Sequence, residues 1–318
     1  MPDGRTRRPP SGGQPVALPR ILPTFQCVGE DARVAEVPEV EIIVRDLKQA
    51  VVGRRFVDAQ VLVPTAVRFA SPEDFIQKLR GRRVLAADRR AKFMLLTLDE
   101  GQTLALHFML WGELALRPVG SERPPATLVV LTLEGDDELQ FSDTLGYARV
   151  ALGPTQWLAA QLKLEELGPE ALDDTFTPEL LARLLRRRRS PLKTVLLNQR
   201  VLAGLGNRDA DESLWASGID PRRLASSLSP SEIIRLHRGI RDVLEEGLRL
   251  RGTQRDLFGV KGKALHRRNI FGKPGAPCPR CTTPVSHQRV GGRNTHWCAQ
   301  CQPADGPAPE APAQTSLL

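Results

Sequence analysis

The stretch from Cys278 to Cys301 constrains this chain more than any other. It reads Cys-Pro-Arg-Cys, sixteen residues, and then Cys-Ala-Gln-Cys. Each Cys-x-x-Cys knuckle brings two thiolates to one ion, and four thiolates complete the tetrahedral shell that zinc prefers. The intervening segment is long enough for a β-hairpin, with arms at Val285–Val290 and Thr295–Cys298. Gly291-Gly292 suits its tip, where positive φ costs little. Arg293 then stands just past the turn. With no open coordination position in view, Cys278, Cys281, Cys298 and Cys301 are expected to hold one structural zinc ion. His287 and His296 flank the cysteines, but four thiolates leave them no place in the shell.

These four cysteines leave only Cys27 of the five in the chain, which argues for a reducing cytosol rather than a disulfide framework. No apolar run approaches a membrane span, and no signal peptide opens the sequence. The chain has 318 residues and a net charge of +8, mostly from arginine. Arginine makes bidentate phosphate contacts, so a polyanionic partner is the leading expectation and a merely solvated basic surface the alternative.

Residues 1–33 show no helical or strand period and are rich in Pro, Gly and Arg, as expected of a disordered extension; residues 303–318 read as a similar tail. Between them, Val40, Ile43, Val44, Leu47 and Val51 mark one face of a helix that Gly53 ends. Up to residue 150 short apolar runs separated by turns predict many antiparallel strands, hence a sandwich or small barrel. From about 151 to 265 the pattern is helical, with helices expected at 178–188, 191–197, 209–217 and 230–250. Thr177, Ser190 and Ser229 each precede a proline, as an N-cap precedes N1. Residues 251–277 read as a flexible basic loop into a zinc unit spanning 266–302. The run Arg186–Arg189 is either a solvated helix face or a phosphate patch. Gly204-Leu205-Gly206-Asn207 interrupts two helices; its glycines let the backbone come close to a partner, and amides at a helix start are natural phosphate ligands.

Three motifs occur in one order: Glu36-Val37-Pro38-Glu39-Val40-Glu41; then Leu197-Asn198-Gln199 with Gly204–Asn207 and Ala210-Asp211-Glu212; then Gly291-Gly292-Arg293 before the last knuckle. Together they resemble the formamidopyrimidine-DNA glycosylase/endonuclease VIII family of base-excision repair enzymes, over residues 34–302. The resemblance implies an α+β, multidomain fold: an N-terminal antiparallel β-sandwich with a leading helix at 34–150, a helix–two-turn–helix domain at 151–265 and a C-terminal zinc finger. It implies a monomer working in the cytoplasm, at the nucleoid, on double-stranded DNA with a damaged base or abasic site. It also implies that an N-terminal amine attacks C1′ of the damaged nucleotide, and that the resulting iminium drives strand cleavage. Glu36 would act as acid and base at the sugar, and Lys92 would contact phosphate and assist. Arg293, Asn207 and Lys193 would join Lys92 on the DNA, and Leu110, Leu145 and Tyr147 would fill the void left by an everted base.

The chain departs from the family pattern at telling places. Val34-Ala35-Glu36 stands where the family has Met-Pro-Glu, so the nucleophilic proline is missing and Ala35 takes its place. Val34 aligns with the initiating methionine, and valine's GUG codon can start translation, which would expose the amine of Ala35. The loop Phe141–Tyr147 lacks two arginines and a phenylalanine, and Leu110 replaces a methionine. Arg208-Asp209 stands where an apolar residue and a tyrosine are usual. The expected activity is therefore glycosylase and AP lyase; the alternatives are a non-enzymatic damaged-DNA binder and, third, a zinc-ribbon nucleic-acid factor. His107, on an apolar strand, reads as a core histidine rather than a catalyst.

Overall fold

The computed structural model describes residues 34–304; the extension with Cys27 and the tail from 305 onward lie outside the described residues. The chain opens with helix α1 (Val37–Ala50), followed by β1 (Phe56–Val61), β2 (Val67–Arg68), α2 (Pro72–Leu79), β3 (Val84–Arg90) and β4 (Phe93–Leu98). Next come β5 (Gln102–His107), β6 (Gly112–Pro118), β7 (Thr127–Leu133), β8 (Asp137–Asp143) and β9 (Arg149–Pro154). The helices α3 (Thr155–Gln161), α4 (Pro178–Leu185), α5 (Leu192–Leu196), α6 (Asn207–Ser217) and α7 (Pro230–Arg249) follow, then the hairpin β10 (Ser286–Val290) and β11 (Arg293–Trp297).

The strands form a four-stranded sheet in the order β1-β7-β8-β6 and a five-stranded sheet in the order β2-β9-β5-β4-β3. Phe56, Leu131 and Phe141 from the first sheet share one apolar core with Met94, Leu104 and Val150 from the second, and Val40, Ile43 and Leu47 of α1 close it. The sandwich is antiparallel except for the two-residue pairing of β2 with β9. Strand β9 and helix α2 were not expected. Ser71 caps α2 by accepting from the Asp74 amide at 3.1 Å, ahead of Pro72.

A second core lies among the later helices, from Ala171 through Leu181, Leu196, Leu214 and Leu236 to Leu244, and Val37 of α1 reaches into it. Helix α3 instead packs Leu158 against Ala105 and Ala151 on the outside of the five-stranded sheet. Thr177 and Ser229 cap α4 and α7 as expected, accepting from the Leu180 and Glu232 amides at 3.2 and 3.3 Å. Ser190 does not cap α5, whose first turn follows Pro191 with no side-chain cap.

The segment read as a flexible loop is tied down. Thr253 donates from its amide and its hydroxyl to Glu39 Oε1, at 2.8 and 2.9 Å. Leu257 is fully buried in the sandwich core, and its carbonyl accepts from the Leu116 amide at 2.9 Å. No helix among the described residues is long and apolar enough to cross a membrane.

Candidate nucleic-acid interface and acid–base site

The finger hairpin pairs Ser286 with Trp297 through to Val290 with Arg293, so Arg293 is the first residue of the returning strand. Its cysteine sulfurs all lie within 4.8 Å of one another, with Cys278 to Cys301 at 3.8 Å and Cys281 to Cys298 at 3.4 Å. A tetrahedron with Zn–S bonds of about 2.3 Å has edges of about 3.8 Å, so the four sulfurs fit one zinc ion. Trp215 Nε1 donates to Cys278 Sγ at 3.4 Å, orienting a ligand from outside the knuckles. Neither histidine is recruited: His296 Nδ1 lies 3.1 Å from Asp211, and its ring stacks on that of His287.

Helix α6 docks this finger. Lys193 Nζ meets Asp211 Oδ1 at 2.6 Å, the Asn294 carbonyl at 2.6 Å and Thr295 Oγ1 at 3.0 Å, with both charged side chains at 0% exposure. Lys193, expected on DNA, is thus enclosed by the hairpin it holds and cannot reach a phosphate from that position. Asp211 also accepts from the His296 amide at 2.9 Å. Glu212 accepts from the amides of Asn269, Ile270 and Phe271, fixing the chain as it enters the finger. The motif Ala210-Asp211-Glu212 carried no assigned role in the sequence; its acids anchor the finger. Gly291 sits so close to α5 that a Cβ there would lie 2.3 Å from Thr194 Oγ1.

The glycine turn before α6 meets α1. A Cβ on Gly206 would lie 2.0 Å from Glu36 Cδ, and one on Gly204, at φ +91°, would lie 2.2 Å from Val37 Cγ2. The partner that these glycines admit is therefore α1 itself. Glu36 accepts from the amides of Arg208 and Asp209, both at 2.9 Å, so those donors are engaged by a carboxylate instead of being open to phosphate. Glu39 accepts from the Glu36 amide at 2.9 Å and from Arg208 Nη2 at 2.9 Å. Burial alone would raise the pKa of Glu36, but Arg208, Lys92 and the Asp209 hydrogen bonds overrule it and bring the pKa to about 2.

Lys92 lies half-buried in the β3–β4 turn beside Ala91, which takes φ +51°. Glu170 pins that turn: it accepts from the Ala91 amide at 2.6 Å and from Arg90 at 2.8 Å, and it pairs with Arg89. His107, read as a core histidine, lies half-buried at the end of β5 with its ring edge-on to that of Phe93. Its Nδ1 accepts from the Met109 amide at 2.9 Å, and burial, then Lys92, lowers its pKa to about 4. Ala35 is buried against the sandwich core and, within the full chain, carries a peptide nitrogen rather than an amine.

Leu110, Leu145 and Tyr147 are exposed, on two turns that share one end of the sandwich. The registers Gly112 to Asp143 and His107 to Arg149 bracket both turns. Asp143 shapes the second by accepting from the amides of Leu145, Tyr147 and Ala148 at 2.7–2.8 Å. Asn207 opens α6, and its Oδ1 is buried with no hydrogen-bond partner among the described residues. Arg293 is exposed.

A helix–two-turn–helix body, a β-sandwich and a four-cysteine finger meeting around buried carboxylates define a zinc-finger protein of the DNA-glycosylase class. Family models match along the chain: "Formamidopyrimidine-DNA glycosylase N-terminal domain" at 34–150, "Formamidopyrimidine-DNA glycosylase H2TH domain" at 167–258 and "Zinc finger found in FPG and IleRS" at 275–304. The formamidopyrimidine-DNA glycosylase of Pelotomaculum thermopropionicum is 38% identical over 273 residues, which cover 84% of this chain and 98% of the relative. That of Moorella thermoacetica is 40% identical over 258 residues, 80% of this chain and 94% of the relative. The Lactococcus lactis Fpg bound to DNA containing an abasic site superposes with a TM-score of 0.78 at 27% identity, over 85% of this chain and all of that one. The same protein on N7-benzyl-Fapy-dG DNA gives 0.79 at 28%, with the same coverage. The chain belongs to the formamidopyrimidine-DNA glycosylase family.

Proposed function

We propose that this protein is a DNA glycosylase and AP lyase of base-excision repair, acting at the nucleoid on oxidised bases and abasic sites in duplex DNA. The observation that carries the reading is the meeting of Glu36, Lys92 and the start of α6 at one seam, within a chain matched over nearly the whole length of its relatives. In the superposed structures the Lactococcus lactis protein is in complex with abasic-site DNA and with N7-benzyl-Fapy-dG DNA.

In this reading the amine of Ala35, in protein that begins there, is the nucleophile at C1′. An α-amine has a pKa of about 7.7–8.0, so a useful fraction is unprotonated at neutral pH. Glu36 moves protons at the sugar. Lys92, Asn207 and Arg293 grip phosphates around the everted nucleotide, and Leu110, Leu145 and Tyr147 occupy the gap it leaves. A primary amine gives an imine that must be protonated to act as an electron sink, so turnover is slower and more pH-sensitive than with proline.

Borohydride trapping on abasic duplex tests this. Protein beginning at Ala35 should cross-link, whereas the full chain, with Ala35 internal, should not. Absence of cross-linking by the Ala35 form, with DNA binding intact, would establish the non-enzymatic binder instead. A second test addresses the finger. Arg293→Ala should weaken binding to abasic duplex and reduce the salt dependence by about one unit of slope. Unchanged affinity and slope would mean that the finger does not touch the backbone.

A further inference from the structure

Asp209 is 3% exposed, and only one of its oxygens is explained. Oδ1 accepts from Arg208 Nε at 2.9 Å, while Oδ2 is buried with no donor among the described residues. The neighbouring acid is Glu36: its Oε2 accepts from the Asp209 amide at 2.9 Å, and Arg208 reaches both carboxyls. Two ionised carboxylates are acceptors only, so they cannot bond to each other; a single proton between them removes the conflict. Glu36 already accepts two amides, at 2.9 Å each, which favours its anion. Asp209 has one charged donor and less support, so the proton belongs to Asp209.

The surrounding charges agree. Glu36 and Glu39 face Asp209 from the start of α1, and Arg208 is inserted among the three acids, 3.9 Å from Glu36 and 2.9 Å from Glu39. Lys92 acts on Glu36 from the β3–β4 turn, and Lys193 acts on it from α5 but is itself paired with Asp211. Glu246 of α7 and Arg267 and Arg268 of the following segment line the opening beside Asp209. Burial pushes the Asp209 carboxyl well above its ordinary range; Arg208 opposes this, and Glu36 adds to it.

We infer that Asp209 and Glu36 form a carboxyl pair sharing one proton, and that Asp209 is a positioning residue that supplies this proton to Glu36 during opening of the sugar ring. The inference rests on the proposed glycosylase chemistry for its kinetic part and on the pair's geometry for the rest. With the amine bonded to C1′, the nitrogen lone pair forms the iminium as the C1′–O4′ bond breaks. O4′ takes a proton from Glu36, and Glu36 takes the proton of Asp209. Asp209 is left as an anion against Arg208 Nε. The proton that the nitrogen loses after attacking C1′ passes to solvent, and Asp209 is reprotonated from solvent once the ring is open, so no net acid is consumed. A hydroxyl donor at this place would hold Glu36 but could not relay a proton to it as readily, because its own pKa is far higher.

The test has two arms. Infrared spectroscopy of the full chain near neutral pH should show the carbonyl stretch of a protonated carboxylic acid. Asp209→Asn should remove that band, and Glu36→Gln should shift it. Absence of the band from folded wild-type protein overturns the pair. In the trapping-competent form, Asp209→Asn keeps a donor to Glu36 but carries no transferable proton. Its single-turnover ring opening should fall about tenfold or more. Affinity for abasic duplex should stay unchanged, and the alkaline limb of the rate profile should disappear. An Asn variant as fast as wild type, with the same pH profile, would reduce Asp209 to a structural donor and overturn its role. If wild type itself fails to trap, the glycosylase reading fails, while the infrared arm still decides the carboxyl pair.

Discussion

Serine in place of any one of Cys278, Cys281, Cys298 or Cys301 is expected to release the metal and abolish binding to damaged duplex. The finger has little else to fold on: its apolar core consists of Trp215, Ile270 and Val285 around the cysteines themselves. Zinc binding to such small units supplies about 10–16 kcal/mol, which is also their folding free energy. Losing it removes the strand that starts at Arg293 and uncovers the Lys193–Asp211 pair beneath. Metal stoichiometry by mass spectrometry and anisotropy on abasic duplex check both halves of the result. Wild-type protein carrying no zinc would sink it.

Lys193→Met should cost about 3–5 kcal/mol in global stability, because it strands Asp211 as a buried, half-compensated anion. Denaturant unfolding measures this directly. Adding Asp211→Leu removes the orphaned charge and should recover part of the loss, although His296 then loses its partner. The result also separates two readings of this lysine. A phosphate contact would change the salt slope of DNA binding and leave stability alone, whereas the enclosed ion pair predicts the reverse. A variant as stable as wild type would show that the pair contributes nothing to holding the finger.

Much of this organisation was legible in the sequence, and for physical reasons. Knuckle spacing fixes a metal site almost by itself, since four sulfurs within reach of one ion admit few alternatives. Strands β4 and β7 and the caps at Thr177 and Ser229 follow from local rules of period and N-terminal hydrogen bonding. Helix α2 was missed although Ser71-Pro72 carries the same signature as those caps. Buried charge was not legible. Lys193, Asp209 and Asp211 look like surface residues in one dimension, and only tertiary enclosure assigns their partners. The one available signal was negative: Arg208-Asp209 broke the family pattern, and that break falls where the carboxyl pair sits. The glycines of the turn were read as letting the backbone come close to a partner, and that partner is α1, through Glu36 and Val37.

The seam between sandwich and helices has a mechanical consequence. It is crossed by Arg208 to Glu39, Arg90 to Glu170 and Arg251 to Asp46, each a directional contact of 2.8–2.9 Å. Apolar surfaces can slide a little past each other, whereas ion pairs hold one alignment. Lys92 rides on the turn pinned by Glu170, and Asn207 opens the helix pinned by Glu36, so these two proposed phosphate grips form a gauge of fixed width. Such a gauge does not adapt to the duplex; the duplex must adapt to it. With Lys92 and Asn207 as phosphate grips, as proposed, sites where stacking is already weakened would reach that spacing at least cost.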